Sequence, residues 1–340
     1  MLRDSSVLTE SIGGGVKVSG SLKKTKEKPV VKALESSQRS IFFHLHTIFL
    51  FTVNDIKTIV VPLTILGVAG ALSGSLLTTN AAPNLLDVLA RIPQVVFYNW
   101  INVLIFDISN QCQPGSVLED VANKPHRPIP SKRITAAQAR RLLTFVIPAV
   151  YAATLYLGGS REAVALMVMT WMHNDLGCAE DGSFVMKNLL NALGYMCYGS
   201  GAMAIAAGHG QHELNGTTAN LWLAIIGAVI FTSVHTQDLP DMDGDAARDR
   251  RTVPLVYGHV AARWSIAVPV TAMSLICPAF FGLGPLGYLP PVIGGGLIAF
   301  RTLSLRTVAA DAVTWKIWCA WLTLIFLLPL FKDHGALTRL

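Results

Sequence analysis

From about residue 57 to the C-terminus, apolar runs long enough to cross a lipid bilayer follow one another with short polar breaks between them. A crossing helix needs about 20 largely apolar residues. Only 14% of the 340 residues are charged, where soluble domains carry about 25%. The pattern predicts an all-α, polytopic membrane protein. The alternative, a soluble all-α protein with buried helices, is disfavoured by how little charge interrupts the runs.

The runs predict nine spans, at about 57–77, 85–109, 136–158, 162–178, 185–207, 218–237, 264–283, 285–302 and 311–331. A short amphipathic segment, "FFHLHTIFLFTV", is expected at the interface before the first. Residues 1–40 are polar and Lys-rich, without the apolar core of a signal peptide. They read as a disordered basic cytosolic tail, and residues 41–335 as one transmembrane helical domain. Most of the net charge of +6 lies in that tail. No aromatics interleave its lysines, so nucleic acid is not an expected partner. The partner is the bilayer itself. Cys112, Cys178, Cys197, Cys277 and Cys319 are scattered without CxxC spacing, so neither a zinc site nor a disulfide framework is implied.

Loop charge sets the topology. Lys124, Arg127, Lys132, Arg133, Arg140 and Arg141 lie in or beside the loop after span two. Arg248, Arg250, Arg251 and Arg263 follow span six, and Arg301 and Arg306 lie in or beside the loop after span eight. The opposite loops, such as "TTNAAPN" and "GLGPLG", are nearly free of Lys and Arg. This bias places the N-terminus and the basic loops in the cytosol, with the endoplasmic reticulum as the expected membrane. Asn215-Gly216-Thr217 is a glycosylation sequon in an expected lumenal loop.

Two of the cytosolic loops carry chemistry. After span six comes "QDLPDMDGDAARDRRTVP". On a continued helix, Asp238, Asp241 and Asp245 would share one arc, since positions three and four apart are neighbours. Carboxylates so arranged repel one another unless a cation joins them. Mg²⁺ takes oxygen ligands and is commonly bound by a few carboxylates plus substrate phosphates, so the pattern suits a Mg²⁺-held diphosphate. Asp243 points elsewhere. Arg248, Arg250 and Arg251 offer the guanidinium fork that matches phosphate oxygens. After span two comes "NQCQPGSVLEDVANKPHRPIPSKRIT", with Asn110, Glu119 and Asp120 and then Lys124 and Arg127. Both loops thus end a span with acids and follow it with bases.

"VANKPHRPIPSKRIT" and "QDLPDMDGDAARDRRTVPLVYG" resemble the two signature loops of the UbiA superfamily of intramembrane prenyltransferases. The resemblance extends over nearly the whole chain past residue 40 and implies helices bundled around a central cavity. Asp238, Asp241 and Asp245 match the second motif. In the first, Asp120 fills the last acidic position, Ser116 stands where a middle Asp belongs, and Asn110-Gln111 looks like a displaced Asn-Asp pair missing its acid. That form resembles a fungal branch that includes membrane-bound sesquiterpene cyclases, which ionise farnesyl diphosphate and quench the cation internally. The resemblance implies a Mg²⁺-dependent enzyme whose substrate is a prenyl diphosphate.

Asp238, Asp241 and Asp245 are then expected to bind one Mg²⁺. Glu119 and Asp120, with Asn110, would help bind another, and Lys124, Arg127, Arg248 and Arg251 would hold phosphate oxygens. Lys187 falls where the family commonly places a basic diphosphate ligand. Phe97, Tyr98, Trp100, Trp171, Tyr195 and Tyr198 are candidates for shielding a carbocation, and Asn174, Asp175, Asn188 and Asn191 for lining the headgroup region. Two other readings stand beside the cyclase. One is transfer of the prenyl group to an aromatic or other acceptor. The other is an ion-coupled transporter, which predicts polar residues near the bilayer midplane.

Overall fold

The computed structural model describes residues 40–178, 184–247 and 250–332. The expected tail over residues 1–40 falls almost wholly outside them, as does Arg248. Helices α1 (Ile41–Thr52), α2 (Val61–Leu72), α3 (Leu85–Ala90), α4 (Ile92–Gln111) and α5 (Pro114–Asn123) come first. Then follow α6 (Ala136–Leu157), α7 (Ser160–Asn174), α8 (Phe184–Ala207) and α9 (Gly216–Ser233). The order ends with α10 (Met242–Ala247), α11 (Val253–Phe280), α12 (Pro285–Ser304) and α13 (Val308–Phe326). Among the described residues the only β pairing is an isolated bridge between Thr78 and Leu214. From Phe42 onward the described helices form one unit.

Six helices are long and apolar enough to cross a membrane, and α1 with the bent stretch Ile56–Leu72 makes a seventh if counted as one broken span. The nine expected spans therefore reduce to six or seven by length and composition. The two that fall short are α7, with 15 residues, and α8, whose first turns carry Lys187, Asn188 and Asn191. Both lie against other helices: α7 on α4 and α8, α8 on α2 and α9. The second half of α8 is largely buried, and a helix covered by its neighbours need not present apolar residues on every face; α7 falls short by length.

Small residues let the helices close on one another. A methyl group at Gly67 would meet the backbone of Ala202 at 2.8 Å, which locks α2 onto α8. At Gly294 and Gly295 the neighbours are Trp321 and Ser274, so "IGGGL" packs α12 against α13 and α11, as small residues do between membrane helices. Chain reversals follow local chemistry. Thr135 and Gln138 form a reciprocal capping box that starts α6. Gly158 (φ 105°) and Gly159 (φ 72°) end it in a conformation open to glycine.

The break between α1 and α2 matters most for the site. The two stretches meet at 58°, with a π-helical turn at Ile56–Val60 in which the Val60 amide bonds the Asp55 carbonyl at 3.2 Å. Pro62 follows directly. Its missing N–H leaves the Thr58 carbonyl without its intrahelical donor. The Tyr195 hydroxyl donates to that carbonyl instead, at 2.8 Å.

Candidate active site: a charged cavity above an aromatic chamber

The end of α4, α5, the start of α8, the loop after α9, the α1–α2 break and one face of α13 line a cavity of about 410 Å³. Asp238, Asp241, Asp245, Glu119, Asp120, Asn110, Lys124, Arg127 and Lys187 all line it. The two polar loops, 110–135 and 237–254, therefore meet at one place. Arg251 does not line the cavity and is exposed. The basic group facing inward is its neighbour Arg250, which reaches Asp245 at 3.1 Å and Glu119 at 3.8 Å.

The second loop is not one continued helix. A 3₁₀ turn spans Val234–Asp238 and a separate short helix, α10, begins at Met242. Pro240 lies between them and lacks the N–H a continuous helix would use. The carboxylates still converge. Asp238 ends the first turn. Asp245 lies on α10 with its amide bonded to the Asp241 carbonyl at 2.9 Å. Asp243 is exposed, as expected. Lys187 turns inward rather than to the membrane edge and bonds Asp238 at 2.6 Å.

In the first loop, a single Nη1 of Arg127 lies 2.9 Å from both Asp120 oxygens. Both residues are buried. Burial opposes the Arg127 charge, but Asp120, and beyond it Asp107 and Asp55, outweigh burial and raise its pKa. Asn110 donates to Asn174 at 3.1 Å, and Asn174 also meets His173 at 2.8 Å. Asn191 lines the cavity. Asn188 instead bonds the Phe231 carbonyl, and Asp175 pairs outside with Arg140.

Sequence reasoning passed over several lining groups: Asp107, Asp55, Lys57 and Lys316. Asp107 had a readable signal, because it is the lone acid in the apolar run 92–111, and ionisable residues within spans usually face a functional cavity. It stands three residues before Asn110 and is almost fully buried.

Whether these groups suit a divalent cation is a matter of unpaired oxygens. One carboxylate oxygen each of Asp107, Asp238 and Asp245 is buried without a hydrogen-bond partner. Burial raises the Asp245 pKa, with Asp238 adding to it against Lys187 and Arg250. Partial burial also raises Asp241, despite Lys124, with Glu119 and Asp238 adding to it. Both shifts come mainly from loss of water around the carboxyl, with neighbouring acids adding less. Among the described residues no three His, Cys, Asp or Glu side chains stand close enough to hold an ion by themselves. The arrangement fits Mg²⁺, which is usually held by one or two carboxylates, waters and substrate phosphate.

Beneath the cavity lies a smaller hollow of about 70 Å³. Ile59, Phe106, His173, Asn191 and Tyr195 line both, and Leu166, Met169, Leu190 and Tyr198 line the lower part. Of the aromatic candidates, Tyr195 and Tyr198 face it. Phe97 and Trp171 are exposed, Tyr98 packs elsewhere against Val95 and Ala202, and Trp100 bonds Thr52. Phe106 on this hollow, and Trp315 above it, take the places of those that do not.

Residues 68–327 match the model of the UbiA prenyltransferase family. The chain belongs to that family. This UbiA chain is 30% identical to the fumagillin beta-trans-bergamotene synthase of Aspergillus fumigatus, covering 77% of the chain and 81% of the relative. It is 28% identical to a polyprenyl transferase of Hericium erinaceus, over 84% and 94% of the two chains. Its fold is similar to that of a UbiA homolog from Archaeoglobus fulgidus bound to GPP and Mg²⁺, with a TM-score of 0.55, 12% identity, and coverage of 83% and 99%. UbiA proteins are integral membrane enzymes acting on prenyl diphosphates, as prenyltransferases or as terpene cyclases. The transport reading is set aside.

Proposed function

We propose that this UbiA chain is a Mg²⁺-dependent terpene cyclase that ionises farnesyl diphosphate and releases a sesquiterpene hydrocarbon. One observation carries the diphosphate chemistry. Carboxylates with unpaired buried oxygens face Lys124, Arg127, Lys187 and Arg250 in a single cavity that opens onto an aromatic-lined hollow. The similarity to a bergamotene synthase favours cyclisation over transfer.

In this reading the diphosphate sits among the bases and the isoprenoid tail extends toward Phe106 and Tyr198. Carboxylates among Asp238, Asp241 and Asp245 would help hold Mg²⁺ on one side, and Asp107 on the other, beside the Glu119–Arg250 pair; the bound ion would supply neutralisation of the charge that grows on the leaving group. Lys187 and Arg250, already fixed by Asp238 and Asp245, add donors aimed at that charge. The C1–O bond breaks with its electron pair going to the diphosphate, which leaves an allylic cation. Phe106, Tyr195, Tyr198 and Trp315 offer π-faces to it, each worth about 0.5–2 kcal/mol. Asp120 and Arg127 hold the loop in place.

The same proposal includes nine spans, with α7 and α8 crossing inside the bundle. It also puts the N-terminus and the cavity on the cytosolic side of an endoplasmic reticulum membrane, with Asn215, at the far end of α9, open to glycosylation in the lumen. Prenyl transfer is the second reading, favoured by the similarity to the polyprenyl transferase. Membranes carrying the protein, given farnesyl diphosphate and Mg²⁺ alone, should yield a volatile hydrocarbon by gas chromatography. Product appearing only after an aromatic or other acceptor is added would make the enzyme a transferase.

A further inference from the structure

The first-loop motif lacks acids at two positions, at Gln111 and at Ser116, yet the cavity beside it is not short of carboxylate. Asp107 of α4 faces Asp55 of the broken first span closely enough for the two carboxyls to interact directly. Both line the cavity. Asp107 is 2% exposed, and its Oδ2 has no partner. Asp55 stands where an N-capping residue would, at the start of the π-helical turn, but makes no capping bond to a backbone amide. One of its oxygens accepts from the Thr58 hydroxyl at 2.8 Å. π-Helical turns inside helices recur at functional sites, and this one, with the 58° bend, is what brings Asp55 to the cavity. Lys57, two residues on, also lines it.

Two carboxylates face to face, Asp107 buried and Asp55 half-buried, repel unless a proton or a cation lies between them. Lys124 and Arg127 stand near Asp107, but Arg127 is committed to Asp120. We propose that Asp55 and Asp107 together ligate the divalent cation of the first-loop side, so that the broken first span supplies the acid the loop itself lost. Thr58 orients Asp55, and substrate phosphate and water complete the coordination, as a Mg²⁺ site with two protein carboxylates requires. This inference rests on the Mg²⁺-diphosphate reading of the cavity.

The test is Mn²⁺ binding by the purified full chain in detergent, followed by electron paramagnetic resonance in the presence of inorganic pyrophosphate. Asp55→Asn should weaken binding at one class of Mn²⁺ by about ten-fold or more, the scale on which even supporting groups act at metal sites. Asp55→Glu should restore part of it. Melting of the metal-free protein should stay close to wild type for Asp55→Asn, which separates a lost ligand from a lost fold. Unchanged Mn²⁺ binding in Asp55→Asn, alongside weakened binding in Asp238→Asn, would overturn the role of Asp55 and leave the Mg²⁺ reading standing. No Mn²⁺ binding by wild type, with turnover undiminished in excess chelator, would overturn both.

Discussion

The two polar loops carry the same residue types to one cavity, but they balance their charges differently. In the first, Asp120 has both oxygens on Arg127, and the pair is buried. In the second, Asp238 and Asp245 each give one oxygen to a base and keep the other buried and unpaired. The first loop is closed on itself before any ligand arrives. The second is built with surplus negative charge. Buried unpaired oxygens are costly in a low-dielectric site, so the second loop is the one whose stability and activity should respond to a bound cation, and the first the one whose loss should unfold the site.

The sharpest break of that comparison is at Asp238 and Asp241. Alanine at either should lower diphosphate release by about 10²–10³-fold, the scale of removing one preorganised electrostatic group, and at the exposed Asp241 it should do so with little change in melting temperature. Phosphate-release assays on purified protein read this directly; full turnover in both variants would remove the second loop from the chemistry.

The first loop should show the reverse. Arg127→Met leaves Asp120 buried and unpaired, which should destabilise by about 3–5 kcal/mol. The double variant Asp120→Leu/Arg127→Met should recover most of that in detergent unfolding. If Arg127→Met melts like wild type, the pair is not the clamp described.

The chamber below should affect product choice more than rate. Tyr198→Leu removes one π-face, worth about 0.5–2 kcal/mol, and should shift product ratios by about 2- to 30-fold in gas chromatography while diphosphate release changes less. An unchanged product profile would place the cation elsewhere.

A smaller effect concerns pH. Burial holds Asp241 and Asp245 above the ordinary carboxylate range. Without metal, their contribution to stability is full below the unfolded value and is lost as pH rises through the raised folded value. Mg²⁺ favours the ionised forms, so its stabilising shift in melting temperature should grow across that same window. A Mg²⁺ shift flat from acid to neutral pH would mean that these carboxylates do not bind it. The smallest change is expected at Arg251, which is exposed and off the cavity. Arg251→Ala should alter stability by less than about 0.5 kcal/mol and leave turnover unaltered, whereas Arg250→Ala should impair it.

Much of the molecule was legible from residue order alone. Apolar run length dictates helices in a membrane, because the backbone must bond within itself there. Acids followed by bases at two span ends pointed to a shared anion site, and Asp238, Asp241, Asp245, Lys187 and Lys124 do line one cavity. What order could not assign was which charge faces which. Arg250 rather than Arg251 points inward because its own amide bonds the Asp245 carbonyl at 3.0 Å and its guanidinium reaches the Asp245 carboxylate at 3.1 Å, a fold-back that helical periodicity does not give. Asp107 and Asp55 lie 52 positions apart and meet only because the first span breaks beside α4. Periodicity reports the face a side chain takes within its own helix; contact between helices depends on bends and close approaches that only packing sets.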